Sequence, residues 1–135
     1  MEIMNKQGVF WRVIDAFALV IIVLEAILAA VLGFGYAFYA VADERLARLG
    51  WGLAVVLAIL AAAMFAVAYA WAKSKRWATG AALSWQLMQA SMGVWFFGAD
   101  ALVGLSLLLT SALVGIAAVR RHMRWAATQQ SDQEL

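Results

Sequence analysis

The sequence predicts an all-α, polytopic membrane protein, an up-down bundle of four transmembrane helices with both termini in the cytoplasm. Three observations carry that prediction. The 135-residue chain is 67% hydrophobic and only 13% charged, whereas a soluble domain is nearer half apolar and a quarter charged. Its apolar residues gather into four runs, each long enough to span, since a helix needs about 20 residues to cross roughly 30 Å of hydrocarbon. Its positive residues fall predominantly on one side of those runs.

Taken in order, the first run extends from about Val13 to Ala42 and the second from Gly50 to Ala72. The third covers Trp77 to Gly98 and the fourth Ala101 to Val119. All four belong to one transmembrane domain, 1–125, followed by a polar tail, 126–135, ending "TQQSDQEL" and expected to be disordered. The first run is longer than a bilayer requires, so it is expected to tilt or protrude. "AVA" at 40–42 has the look of a signal-peptidase site. The preceding apolar run is about twice the usual 7–15-residue core, however, and Asp15 and Glu25 interrupt it, so it reads as a retained span.

The connectors "DERLARL", "KSKR" and "GAD" are short, which makes consecutive helices antiparallel neighbours. Asp100 is placed to N-cap the fourth helix. No proline is present to kink any of them. On the second helix, Ala54, Ala58, Ala62 and Ala66 form a small-residue ridge expected to be its packing face.

Four spans put the N-terminus, loop 73–76 and the C-terminus on one side. That side holds Lys6, Arg12, Lys73, Lys75, Arg76, Arg120, Arg121 and Arg124, eight of the ten basic residues. Arg45 and Arg48 lie opposite, offset by Asp43, Glu44 and Asp100. The positive-inside rule makes the basic side cytoplasmic, in a bacterial inner membrane. Tryptophan agrees: Trp11, Trp71, Trp77 and Trp125 flank the basic side, Trp51 and Trp95 the other, as an aromatic belt does. Lys73, Lys75, Arg76, Arg120, Arg121 and Arg124 are expected to meet anionic lipid headgroups, each contributing about 1 kcal/mol. Any positive-inside anchor needs the same residues.

Much chemistry is excluded. With no cysteine there is no disulfide, thiolate metal site or cysteine nucleophile. His122 is the single histidine and sits in the basic flank, so one chain cannot ligate a haem through two histidines. No phosphate loop, paired catalytic carboxylates, metal-ligand cluster or serine–histidine pair is visible. The expectation is therefore no catalytic residue, no metal, no cofactor and no nucleic-acid partner.

What remains is a polar layer. Glu25 is 13 residues beyond Arg12, roughly 20 Å along a helix. Gln86 and Gln89 lie 10 and 13 residues beyond Arg76, and Thr110 lies 10 before Arg120. All four are thus expected near mid-membrane. Gln86 and Gln89 share a stripe with Ala82, Ala90 and Gly93, while Trp85, Met88, Met92 and Trp95 gather opposite. Glu25 shares a face with Ala18, Ala29 and Tyr36, and Ser106 pairs with Thr110 at i,i+4. Small residues beside polar ones mark helix contacts.

An ionised carboxylate at that depth costs about 2.5–3.5 kcal/mol. No lysine or arginine is level with Glu25, so desolvation favours the neutral acid. A neutral carboxyl can donate to one glutamine and accept from another, a polar clamp fixing which helices face each other. The alternative is a proton or substrate site. Trp85 and Tyr36 are the candidate pocket or interface aromatics. Asp15, three residues beyond Arg12, is expected to form a local ion pair. Ser84 and Ser91 are expected to bond their own preceding turn or a partner helix.

"LEA" at 24–26 and the span count give a distant likeness to the small multidrug resistance transporters, in which a first-helix glutamate binds proton or drug. That family's proline-containing third helix and its lysine soon after the glutamate have no counterpart here. "LEA" together with "KRWATGAALSWQLMQ" at 75–89 resembles small four-helix membrane proteins of actinobacteria that carry no assigned activity. The second resemblance groups Glu25, Trp77, Trp85 and Gln86 in one arrangement. It implies an accessory protein that assembles with itself or with a larger membrane complex.

Overall fold

Each apolar run becomes one helix: α1 (Glu2–Ala42), α2 (Ala47–Ala72), α3 (Arg76–Phe97) and α4 (Ala101–Gln133). A computed structural model describes residues 2–45 and 47–133; Met1, Leu46, Glu134 and Leu135 lie outside it. Helices α1, α2 and α4 are long and apolar enough to cross a membrane. The 22 residues of α3 would reach about 33 Å, but Thr79, Ser84, Gln86, Gln89 and Ser91 interrupt its apolar stretch.

Two helices outrun their predicted spans. α1 begins about ten residues early, and α4 continues through Gln133, so residues 126–133 are helical and not the expected disordered tail. Residues 134–135 of that tail lie outside the described residues. The reason is that hydrophobicity marks where hydrocarbon stops, while propensity marks where a helix stops. Arg, Ala and Gln, frequent beyond Val119, are good helix formers, and no proline intervenes.

The chain divides into two compact units, Met1–Ile21 with Ala70–Leu135, and Ile22–Tyr69. In the first, α3 and α4 are antiparallel partners. Their turn closes through Asp100 N–H donating to Phe96 O at 2.7 Å. Asp100 Oδ1 then accepts from the N–H groups of Leu102 (3.0 Å) and Val103 (3.2 Å), the predicted N-cap. Gly104 backs onto the end of α3 so closely that a Cβ there would lie 2.5 Å from Phe97 N.

In the second unit the later part of α1 packs on α2. A Cβ on Gly33 would sit 3.3 Å from Leu57 Cβ, and one on Gly50 would sit 2.8 Å from Ala40 Cβ. The ridge predicted for α2 is not its packing face. Within this unit the buried positions of α2 run Gly50, Ala54, Ala61, Met64, Val67 and Ala68, leaving Ala58, Ala62 and Ala66 exposed. A four-residue step advances about 400°, so such a ridge drifts about 40° per step off a contact line. Alternating steps of three and four stay on it.

Size sorts inside from outside in an unusual sense. Of seventeen buried apolar residues among those described, twelve are alanine, while Phe34, Phe38, Val41, Trp95 and Leu102 are all more than 70% exposed. Water penalises that surface heavily. Lipid accepts it, and small interior residues let the backbones approach.

Candidate functional site

The polar layer is built on the α3–α4 hairpin. The buried stripe of α3 is Thr79, Ala82, Gln86, Gln89 and Gly93, and α4 answers with Gly104, Ser111, Val114 and Ala118. A Cβ on Gly93 would stand 3.2 Å from Gly104 O, so these two glycines set the register. That register brings together two of the four residues expected at one depth: Gln89 Nε2 donates to Thr110 Oγ1 at 3.0 Å. Thr110 Oγ1 in turn lies 3.0 Å from Ser106 O and 3.1 Å from Leu107 O, either of which accepts its proton. The i,i+4 relation of Ser106 and Thr110 is therefore realised through the backbone. Ser91 Oγ likewise donates to Leu87 O at 2.9 Å, the back-bond expected of it.

Gln86 and Gln89 are only 2% and 7% exposed, which places both amides in the interior. Ser111, also buried, escaped the sequence reading. Its signal was its phase: it stands seven residues from both Gly104 and Ala118, on the stripe that α4 turns inward.

Glu25 belongs to the second unit. It is half-buried on α1, with Ile22, Ala26 and Ala29 buried around it on the same helix. Its Oε1 is sealed from solvent, and Glu25, Gln86 and Trp85 each take part in an interaction. Trp85 is half-buried, and Tyr36 is exposed.

At the basic end of the first unit, the α2–α3 turn is a Schellman closure: Lys75 N–H donates to Ala70 O at 2.8 Å and Ser74 N–H to Trp71 O at 3.0 Å. Its left-handed position is taken by Ser74, φ 54°, where glycine is usual. Arg121 reaches across to this turn. It donates through Nη1 to Trp71 O at 3.0 Å and through Nη2 to Ser74 Oγ at 3.1 Å, and its guanidinium lies 4.6 Å from the Trp71 ring centroid. Arg120 stacks on Trp11 at 3.3 Å. Arg120 and Arg121, both predicted at headgroup level, thus also make contacts within the protein, and Lys73 and Arg124 each take part in an interaction as well. Lys73, Lys75, Arg76 and Arg124 are exposed.

Asp15, Ser74, Arg121, Arg124 and Trp125 line an open hollow of about 390 Å³. Asp15 acts electrostatically on both Arg120 and Arg121, a wider role than the local pair with Arg12 expected from spacing. Among the described residues no three His, Cys, Asp or Glu side chains converge. No family model matches the chain, and neither a curated protein nor a solved structure matches it.

Proposed function

We propose that this protein is a four-span component of the bacterial cytoplasmic membrane, termini inside, that works by assembly and not by catalysis. Its partner is a second copy or a larger membrane complex. The observation that carries this reading is the use made of polarity on the α3–α4 hairpin. Gln89 and Thr110 bond to each other across the helices, in a seam of glycine and alanine. Polar groups used in this way hold helices against one another.

The same hairpin supports α3 as the fourth span. Its polar stripe is turned inward, while Leu87, Val94 and Trp95, each more than 60% exposed, face outward for lipid. The cytoplasmic side meets anionic headgroups through Lys73, Lys75, Arg76 and Arg124. Glu25, on the small-residue face of α1, serves as a protonated clamp.

A second reading, a small proton-coupled transporter with Glu25 as the proton or substrate site, draws on one observation: Glu25 is only half-buried. Substitution separates the two. The clamp expects Glu25→Gln to preserve oligomeric state and thermal stability and Glu25→Leu to lower both. If Glu25→Leu leaves both unchanged, the clamp is wrong. Transport expects proton-linked substrate movement in liposomes that Glu25→Gln abolishes without unfolding the protein.

A further inference from the structure

The hollow lined by Asp15, Ser74, Arg121, Arg124 and Trp125 combines features that a positive-inside anchor does not require. Its volume, about 390 Å³, falls in the range of roughly 300–1,000 Å³ usual for small-molecule sites. Both signs of charge line it. A surface meant only to attract anionic lipid gains nothing from Asp15.

Arg121 is held ready. Two of its five donors are fixed on Trp71 O and Ser74 Oγ, and the Trp71 ring lies beside its plane. Three N–H donors remain for another acceptor. Ser74 occupies a backbone conformation that costs a non-glycine residue about 1–3 kcal/mol. What serine offers there over glycine is a hydroxyl, which accepts from Arg121 and keeps a proton to donate. Trp125, 37% exposed, closes the rim with an amphipathic ring.

The location points to a lipid. Arg120 and Arg121 are the first charges after the apolar run of α4, and Asp15 stands where the apolar run of α1 begins. On the membrane reading proposed above, on which this inference rests, the hollow lies at headgroup level. We infer that it is a headgroup site for an aminophospholipid, with Arg121, Arg124 and Ser74 on the phosphate and Asp15 on the primary ammonium. A primary ammonium supplies N–H donors for a charge-assisted bond to the carboxylate. The quaternary ammonium of a choline lipid has none, and a glycerol headgroup has no positive charge.

The test is native mass spectrometry of the full chain in detergent with equal amounts of phosphatidylethanolamine, phosphatidylcholine and phosphatidylglycerol. Retention of the ethanolamine lipid about ten-fold above the choline lipid is expected, the effect of one charge-assisted bond. Asp15→Asn removes that preference without weakening the glycerol lipid, and Asp15→Glu keeps it. Arg124→Gln lowers ethanolamine and glycerol lipids together, and so tests the site even if Asp15→Asn fails to fold. Equal retention of all three lipids overturns the inference, as does an Asp15→Asn chain with its preference intact. Displacement of the lipid by soluble phosphoethanolamine at low millimolar concentration overturns the lipid assignment in favour of a free phosphate ester. Carbonate washing separates the two levels. A chain that stays in washed membranes yet shows no preference refutes this inference alone, whereas release by carbonate refutes the membrane reading and the inference with it.

Discussion

Arg120, Arg121 and Arg124 are indistinguishable in the sequence, three basic residues after an apolar run. Their environments differ: one stacks on Trp11, one closes the α2–α3 turn, and one lines the hollow. The turn also yields a paired prediction. Ser74→Gly relieves the left-handed strain while losing the bond from Arg121, so thermal stability is expected to change by less than about 1 kcal/mol. Ser74→Ala loses the same bond and keeps the strain, so it is expected to be the worse variant by about 1 kcal/mol. Thermal unfolding of both in detergent decides, and alanine matching glycine would mean that the strain contributes nothing. For the polar layer, a double-mutant cycle of Gln89→Leu with Thr110→Val is expected to return a coupling of about 0.6 kcal/mol and at most about 1.7. Depth counting from the basic flank had placed these two residues in one layer with Glu25 and Gln86, without saying which would bond. It could not find Ser111, whose polarity alone looks no different from that of exposed Ser106.

Helix pairs are governed by register. In the α3–α4 hairpin, Gly104 lies against the backbone of Phe97 and Gly93, which cannot move aside as a side-chain tip can. Gly104→Ala is therefore expected to cost at least the 1–3 kcal/mol of ordinary overpacking and to weaken the Gln89–Thr110 bond with it. A loss of stability under about 0.5 kcal/mol would show that the close approach is not needed. On α2 the observed stripe makes a sharper comparison. Ala68 is buried and Ala66 is exposed, although they are two residues apart. Ala68→Leu is expected to destabilise by about 1–3 kcal/mol, and Ala66→Leu to stay within about 0.5. Had the four-spaced alanine ridge been the packing face, that order would reverse. Identical residues on both faces of α2 hid the answer from sequence, since alanine carries no sign of which way it points.

For the molecule as a whole, topology is the property to test. The absence of cysteine makes single-cysteine labelling clean. Glu44→Cys, in the α1–α2 connection, is expected to react with an impermeant maleimide from outside intact spheroplasts. Lys75→Cys, in the α2–α3 turn, is expected to react only after permeabilisation. The reverse pattern would invert the orientation. Labelling of both from outside would mean that α2 does not cross.

The amino-acid sequence by itself determined that this chain is helical, that it suits a membrane, and where its helices lie to within a few residues at most ends. These properties are sums along the chain: hydropathy accumulates over a window, and charge asymmetry needs only a count. Tertiary structure alone decided which alanines meet a neighbour and that Arg121 reaches the turn at Ser74. Each depends on phase between two helices. Phase turns by about 100° per residue, so one residue of register moves a side chain from seam to lipid, a difference no linear sum records.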